Sequence, residues 1–243
     1  MVLSKRIEEE LILEGKEAVQ EYRGITKIIG ITYILLAEKI LESSDSYLNG
    51  TILDLGTGLG DFALAVAKKF PSAKVVGLDI SEEMLKEAEK NLKDRDFKNV
   101  SFCLMDVHRL DFSDNSIDLI VSHGSLHHWH SPIEVFKEIK RVLKENRFAF
   151  IVDLRRDAPQ DLVDEVSNML DEAQKRGFLN SIKASYVEEE LKQMLKEAGV
   201  NNFLLEEQKF SRKSILRNLD VLRNTSQRSE RFNRLYFNLW IRK

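Results

Sequence analysis

Three glycines at alternate positions form the first pattern that indicates chemistry. They stand in the segment LDLGTGLGD, residues 53–61, which runs directly into a helical segment starting near Phe62. Glycine lets the backbone turn sharply and lets a ligand approach atoms that a Cβ would shield. We therefore expect a ligand-binding loop between a strand and a helix.

The spacing of these glycines indicates the kind of ligand. A dinucleotide-binding loop carries Gly-x-Gly-x-x-Gly and directs a helix N-terminus at a pyrophosphate. Here the third glycine, Gly60, comes one position early, and Asp61 takes the place expected for it. A carboxylate at a helix start repels a pyrophosphate but tolerates a ligand that bears an ammonium group. No Gly-Lys-Ser or Gly-Lys-Thr follows, so a phosphate-binding loop is not expected either.

Further candidate residues follow the next strands of the chain. Asp79 ends the apolar run VVGLDI, and Asp106 follows the run CLMDV. The segment SHGSLHHW, residues 122–129, then holds several of the five histidines. Acidic and histidine side chains at successive strand ends suit a binding site, because open α/β sheets bind ligands at the carboxyl ends of their strands.

Short apolar runs that alternate with longer helical segments must position these residues. Such alternation predicts an α/β fold, a parallel sheet covered by helices on both faces. We predict five buried strands, at residues 51–55, 74–78, 100–104, 117–122 and 148–154. A helix from Pro132 to about Leu143 is well marked, because Ser131, Pro132 and Glu134 fit an N-cap, an N1 proline and a capping box.

The flanking segments are predicted to be mostly helical. Residues 3–46 are expected to hold at least two helices, and 161–176 one helix that ends at Gly177. Ser185 and Glu188 fit a capping box for a helix that closes at Gly199. Two strands are expected at 203–210 and 234–241, with a basic segment at 211–233 between them that is predicted to hold a helix.

Composition excludes several classes of protein. The 243 residues carry 37 Lys+Arg and 40 Asp+Glu, a net charge of -3, which does not attract nucleic acid or anionic membranes. The longest apolar run, residues 28–37, is about half the roughly 20 residues that span a bilayer. A single cysteine gives no internal disulfide, and no signal peptide is evident. We expect a cytoplasmic protein without membrane insertion and without a nucleic-acid partner.

Together, the glycine loop, the two strand-end acids and the histidine run resemble the class I S-adenosylmethionine-dependent methyltransferases. Within that class the chain is similar to the type 11, ubiquinone/menaquinone C-methyltransferase-like group. The resemblance implies a Rossmann-like seven-stranded sheet in the order 3-2-1-4-5-7-6 with an antiparallel last strand. It further implies one domain over residues 1–243: a helical cap (1–48), a cofactor-binding core (49–154), a lid insertion (155–185) and a C-terminal helix with strands (186–243). The turn before the fifth strand departs from the group, because 144–147 replace its usual Pro-Gly-Gly.

The resemblance also assigns cofactor-binding residues for S-adenosylmethionine and its product S-adenosylhomocysteine. Asp79 matches the acid that accepts hydrogen bonds from the ribose hydroxyls, and Asp106 matches the residue that recognises the adenine amino group. The glycine loop would approach the methionine and ribose portions, and the start of the histidine run would contact the amino-acid end. The full set implied is Asp54, Gly56, Thr57, Gly58, Gly60, Asp61, Asp79, Ile80, Met84, Asp106, Val107, Ser122, His123 and Gly124.

Three readings of the histidine run remain open. His127 and His128 are candidates for a general base, because an imidazole titrates near neutral pH. A metal site is disfavoured, since the helical His-Glu-x-x-His pattern and cysteine partners are absent. The third reading is that these histidines pack and hydrogen-bond beside the cofactor.

Substrate-binding candidates lie in less family-like parts of the chain. Arg155 and Arg156 follow the fifth strand and either clamp an anionic group or anchor the lid by salt bridges. Tyr22 and Arg23 are candidates to close over the cofactor or substrate, and Trp129 to line the substrate pocket.

The resemblance favours an enzyme that transfers a methyl group in line to a small-molecule acceptor. The alternatives are a nucleic-acid or protein methyltransferase and a protein that binds the cofactor without catalysis. Nucleic-acid or protein methyltransferases that modify amino groups usually show Asn-Pro-Pro-Tyr or Asp-Pro-Pro-Tyr after the fourth strand. This chain has SHGS there, residues 122–125.

Overall fold

One sheet of seven strands organises the computed structural model, which describes residues 5–8, 16–44, 48–93, 95–211 and 232–243. Its strands are β1 (Thr51–Leu55), β2 (Lys74–Asp79), β3 (Val100–Leu104), β4 (Ile117–His123), β5 (Leu143–Leu154), β6 (Phe203–Glu207) and β7 (Tyr236–Arg242). They lie in the order β3-β2-β1-β4-β5-β7-β6. Strands β1 to β5 pair in parallel, whereas β7 runs antiparallel to both β5 and β6. The predicted fold class and strand order are confirmed.

Helices cover both faces of this sheet because its central strands are apolar on both sides. The helices are α1 (Lys16–Ser43), α2 (Asp61–Lys69), α3 (Glu82–Lys93), α4 (Pro132–Val142), α5 (Gln160–Ser167), α6 (Glu172–Ala184) and α7 (Glu188–Glu197). The inner part of α1 and α2 share one apolar core with alternate residues of β1, β4 and β5. Helices α4 and α7 share the other core with the residues that point the opposite way. Two cores of this kind hold the strand ends rigidly in place.

The strand predictions need small corrections at their ends. Strand β5 starts at Leu143 rather than at residue 148. Backbone hydrogen bonds that join Lys243 to Asn146 and Arg147 continue the β5–β7 pairing into residues 144–147, where a turn was expected. Asn146 has a φ of 62°, a left-handed conformation that asparagine tolerates. Strand β7 begins at Tyr236 after a short 3-10 turn, Asn233–Leu235, and β6 ends at Glu207 instead of residue 210.

Two helix predictions after β5 are wrong in detail. The helix expected over 161–176 is two helices, because Asp171 caps a new one by accepting from the N–H groups of Ala173 and Gln174. Gly177 lies inside α6 rather than ending a helix. The capping box predicted at Ser185 and Glu188 is formed differently, since the carboxylate of Glu190 accepts from the Val187 N–H.

At the N-terminal side, residues 16–43 form one continuous helix where at least two helices were predicted for 3–46. Gly24 and Gly30 do not interrupt α1, and the rest of that segment lies partly outside the described residues. Most of the basic segment 211–233 also lies outside them. None of the helices in the described ranges has both the length and the apolar character needed to cross a membrane.

Candidate active site

A cleft opens at the carboxyl ends of β1, β2 and β4, with about 1130 Å³ of free space including its mouth. Its described lining includes two carboxylates, those of Asp79 and Asp106, and no lysine or arginine. Such a cleft favours an uncharged or cationic ligand over an anionic one, because each carboxylate repels negative charge.

Many of the predicted site residues meet in this cleft. Those in its lining are Tyr22, Gly56, Gly58, Asp79, Ile80, Met84, Asp106, Val107, Gly124, His128 and Trp129. The other predicted residues are not part of the lining: Arg23, Asp54, Thr57, Gly60, Asp61, Ser122, His123, His127, Arg155 and Arg156. Five lining residues were not predicted: Ser81, Met105, His108, Ser125 and His130. Each of these five neighbours a predicted residue in sequence, so proximity to the motifs was the available signal.

Backbone hydrogen bonds fix the glycine loop against the second strand. The Thr57 N–H donates to the Leu78 carbonyl at 2.8 Å, and the Gly58 N–H donates to Oδ2 of Asp79 at 2.8 Å. The Tyr22 ring of α1 lies directly over Gly58, where an added Cβ would come within 2.9 Å of its Cε1 atom. Helix α1 therefore reaches the loop from above, and only glycine allows this approach.

Asp54 supports the same loop from inside the protein. Its Oδ2 atom accepts from the Thr57 hydroxyl at 2.7 Å, and its side chain is buried. Burial raises the pKa of Asp54 to about 7, although the Thr57 hydrogen bond opposes the shift. Asp54 thus carries a proton over a much wider pH range than an exposed aspartate.

Asp79 joins the loop to the start of α3. Its Oδ1 atom accepts from the Ser81 N–H at 2.9 Å, while Oδ2 holds Gly58. Burial raises the pKa of Asp79 and the backbone hydrogen bonds from Ser81 and Gly58 oppose that shift. Each carboxylate oxygen keeps further acceptor capacity, because a carboxylate has about four acceptor positions, and Asp79 lines the cleft.

Asp106 forms hydrogen bonds with His108, a residue outside the predicted set. Oδ1 of Asp106 accepts from the His108 N–H at 2.9 Å and lies 2.6 Å from Nδ1 of the same imidazole. The Ser131 N–H donates to His108 Nε2 at 3.3 Å, which assigns the ring proton to Nδ1. Although burial raises it, these His108 hydrogen bonds leave the pKa of Asp106 below its usual value. Asp106 is therefore an ionised acceptor at neutral pH.

The histidine run begins in the last residues of β4, which ends at His123, and it continues into a 3-10 turn, Leu126–His128. His127 is buried against Asp153 of β5, with 2.6 Å between Nδ1 and Oδ1. The other oxygen of Asp153 accepts from the His127 backbone N–H at 3.0 Å. The His128 ring packs against the His127 ring at a tilt of 42° and lines the cleft, and its burial lowers its pKa well below the usual value. Asp153, a residue outside the predicted set, thus anchors the whole turn.

The predicted substrate-binding arginines have carboxylate partners within the chain. Arg155 makes a bidentate pair with Asp157, at 2.7 and 2.8 Å. Arg156 pairs with Glu190 of α7, and Arg23 pairs with Glu87 of α3. This arrangement agrees with the lid-anchoring alternative for Arg155 and Arg156 and leaves the anion-clamp alternative without support from their geometry.

The fold and the strand-end cleft define a class I S-adenosylmethionine-dependent methyltransferase, and the predicted resemblance is confirmed. The model of a methyltransferase domain family matches residues 48–199. Because this is more than half of the chain, the chain belongs to that family.

Individual relatives share the central part of the chain. A demethylmenaquinone methyltransferase from Thermotoga maritima is 38% identical over 103 residues, 42% of this chain and 43% of that protein. A release factor glutamine methyltransferase from Buchnera aphidicola is 40% identical over 116 residues, 47% of this chain and 38% of the relative. The matches cover less than half of these relatives' own lengths. Their named substrates differ in class, so they do not define one acceptor.

Solved structures share the fold over nearly the whole chain. The plantazolicin methyltransferase BpumL in complex with S-adenosylhomocysteine has a TM-score of 0.74 at 20% identity, covering 94% of this chain and 91% of that one. A methyltransferase from Aquifex aeolicus has a TM-score of 0.64 at 18% identity, with 94% and 98% covered. These similarities concern architecture, and they cover a larger share of the chain than the two sequence relatives do.

Proposed function

We propose that this protein transfers a methyl group from S-adenosylmethionine to a small-molecule acceptor. The observation that carries the proposal is a strand-end cleft with two carboxylates and no lysine or arginine in its described lining. That charge pattern suits a cofactor with a sulfonium and an ammonium group and opposes nucleotides that bear phosphates.

The residues present fit this cofactor. Ile80 is 65% exposed at the cleft, an unusual state for an isoleucine beside a buried strand, and it offers an apolar surface to an adenine ring with Met84 and Val107. Asp106 would accept from the adenine amino group, and Asp79 from the ribose hydroxyls. When bound, the cofactor supplies an electrophilic methyl group.

The remaining predicted cofactor residues are proposed to shape the site. Asp54, Thr57, Gly60 and Asp61 hold the loop and the start of α2, while Gly56 and Gly58 admit the ligand. At the end of β4, Ser122 donates to the Leu55 carbonyl at 2.7 Å and so fixes the backbone that leads through His123 to Gly124. His127 and His128 remain candidates for a base, with Trp129 and Tyr22 as walls of the cleft.

For the chain as a whole we propose one domain with a cap at 1–48, a core at 49–154, a lid at 155–185 and a C-terminal part at 186–243. We also propose a cytoplasmic location, supported by the single cysteine. A nucleic-acid partner is not proposed, because the chain has a net charge of -3 and the described lining of the cleft holds no lysine or arginine.

The test is product formation from S-adenosylmethionine over a panel of acceptors. The panel holds small alcohols, amines and thiols, together with RNA and unfolded protein, and S-adenosylhomocysteine is measured by mass spectrometry. We expect turnover with small molecules only, its loss in Asp79→Ala, and its retention in Ser167→Ala, a buried change in α5 away from the cleft. Turnover on RNA or protein alone would overturn the acceptor class. Cofactor binding without any turnover would support the non-catalytic alternative.

A further inference from the structure

His123 is a buried histidine whose two ring nitrogens both lack a hydrogen-bond partner. His123 is 5% exposed, and neither Nδ1 nor Nε2 makes a hydrogen bond of normal geometry to another residue. A buried polar group without a partner costs stability, so folded proteins rarely keep one without a use. His123 ends β4 immediately before Gly124, which lines the cleft.

Aromatic rings from three separate elements surround His123. The Tyr33 ring of α1 meets it edge-on at 4.9 Å between centroids, and Phe62 of α2 lies at 5.9 Å. Tyr236, the first residue of β7, lies at 5.7 Å. We call His123, its three neighbours Tyr33, Phe62 and Tyr236, and Tyr22 the aromatic cluster.

Tyr22 connects the aromatic cluster to the cleft. It lines the cleft over Gly58, and its hydroxyl shares a hydrogen bond with the Tyr33 hydroxyl. The path from the glycine loop to His123 therefore runs through two tyrosines of the same helix. Tyr22 lines the cleft, whereas His123, Tyr33 and Phe62 are buried and do not belong to its described lining.

Most of the charges that act on the aromatic cluster are negative. Asp54, Asp61 and Asp79 act on Tyr22, and Asp153 acts on both Tyr236 and His123. His127 acts on His123 in the opposite direction to Asp153. Burial lowers the pKa of His123 to about 4, although Asp153 opposes that shift, so the imidazole is neutral at pH 7. A neutral imidazole accepts one hydrogen bond and donates another. This environment repels carboxylates and phosphates and accepts an uncharged ring with a hydroxyl or amine group.

We propose that an uncharged, ring-bearing acceptor enters the aromatic cluster by displacing the Tyr22 ring from the cleft wall, and that a ring nitrogen of His123 then accepts a hydrogen bond from the acceptor's O–H or N–H. This inference rests on the proposed function, because the acceptor is the molecule to be methylated. It assigns the acceptor contact to His123, whereas the sequence analysis had placed His123 among the cofactor-binding residues. Arg155 and Arg156, which have carboxylate partners, take no part in it.

The test uses phenol as an uncharged probe and benzoate as its anionic counterpart, both with saturating S-adenosylhomocysteine. In protein labelled at histidine ¹³Cε1, we expect phenol to shift the His123 resonance, which is assigned by its absence in His123→Leu. Benzoate should leave that resonance unchanged. A full phenol titration without a shift at His123 would overturn the contact, and a benzoate shift as large as that of phenol would overturn the charge selectivity.

Variants separate a binding role from a structural one. His123→Leu removes both nitrogens, so we expect phenol binding at least about fivefold weaker, together with a melting temperature raised by about 2–4 °C because an unpartnered polar group is lost. His123→Gln, which keeps an acceptor, should recover part of the phenol affinity. Ser167→Ala is the matched control, since Ser167 Oγ is also buried without a partner but lies in α5. It should bind phenol like the wild type.

Two outcomes of these variants have separate meanings. A lower melting temperature of His123→Leu with unchanged phenol binding would make His123 a structural residue and overturn the inference. Failure of S-adenosylhomocysteine to bind the wild-type protein would instead contradict the proposed function. Calorimetric titration of the nucleoside, which we expect to give the same affinity in wild type and His123→Leu, distinguishes the two failures.

Discussion

The two sides of the cleft are built in different ways. On the proposed adenosine side, Asp79 ends β2 and Asp106 follows the neighbouring strand β3. Each accepts a hydrogen bond from a residue two positions further on, Ser81 or His108, and Asp79 also accepts one from the more distant Gly58. On the proposed acceptor side, His123, Asp153 and Tyr236 come from β4, β5 and β7 and meet only in the folded sheet. The comparison indicates that the proposed cofactor residues are held partly by local contacts, whereas the proposed acceptor residues are brought together by long-range packing alone. Four changes test that difference, from the largest expected effect to the smallest.

The largest effect is expected at Gly60, whose φ of 79° is left-handed and whose added Cβ would come within 2.5 Å of Phe102 Cζ. Gly60→Ala should lower the free energy of unfolding by about 2–4 kcal/mol, from backbone strain and overpacking combined. Gly177→Ala is the control, because Gly177 lies in α6 with open space around it, and it should be neutral or stabilising by up to about 1 kcal/mol. Denaturant titration measures both. If both substitutions changed the free energy of unfolding equally, the conformation at residue 60 would not require glycine.

The second change addresses the acceptor side. Asp153→Asn removes the charge that binds the ring and backbone of His127, and we expect a loss of about 1.5–3 kcal/mol in unfolding free energy. Because Asp153 does not line the cleft, the dissociation constant of S-adenosylhomocysteine should change less than threefold. Denaturation and calorimetric titration are the measurements. A tenfold loss of nucleoside affinity would mean that the two sides are not independent.

The third change, on the adenosine side, is expected to weaken binding of the nucleoside, which the Asp153 change should leave nearly unaltered. Asp79→Ala should weaken S-adenosylhomocysteine binding by about 1–3 kcal/mol, because hydrogen bonds to a charged group are lost. Asp79→Asn should lose less, since one oxygen remains to accept from Gly58 or Ser81. Glu82→Ala, at an exposed position of α3, is the control. Unchanged affinity in Asp79→Ala would contradict the ribose assignment.

The smallest effect concerns Asp54 and pH. Its pKa of about 7 in the folded protein exceeds the value of 3.8 for an unperturbed aspartate, so the folded state binds this proton more tightly. The stabilisation is complete below about pH 3.8 and is lost as the pH rises through about 7. From pH 6 to 7 we expect the contribution of Asp54 to fall by about 1 kcal/mol. Asp54→Asn should remove this decline in the stability profile, and a parallel profile in the variant would contradict the assignment.

Much of the fold followed from the sequence because the signals were local. Apolar runs located the strands, and Pro132 marked the start of α4. One error arose where a tertiary contact overrides the local signal, since Lys243 extends β5. Another was a local signal that was missed, since Asp171 caps a new helix that runs past Gly177.

The site divides in the same way. Asp79 and Asp106 were identifiable because the carboxyl ends of parallel strands meet at one edge. Asp153 was visible as a strand-end acid, but its pairing with His127, 26 positions away, was not. Tyr33 and Tyr236 carried no signal at all, since a tyrosine in a helix or at a strand start is usually part of a core.

The most direct test of the account is the melting temperature with and without excess S-adenosylhomocysteine, with NAD as the comparison ligand. A ligand at 100 times its dissociation constant stabilises the native state by about 2.7 kcal/mol, which corresponds to a rise of roughly 5–10 °C for a chain of this size. We predict that rise with the sulfur nucleoside and none with NAD. A rise with NAD alone, or with neither ligand in protein shown by mass spectrometry to carry no nucleoside, would contradict the cofactor assignment.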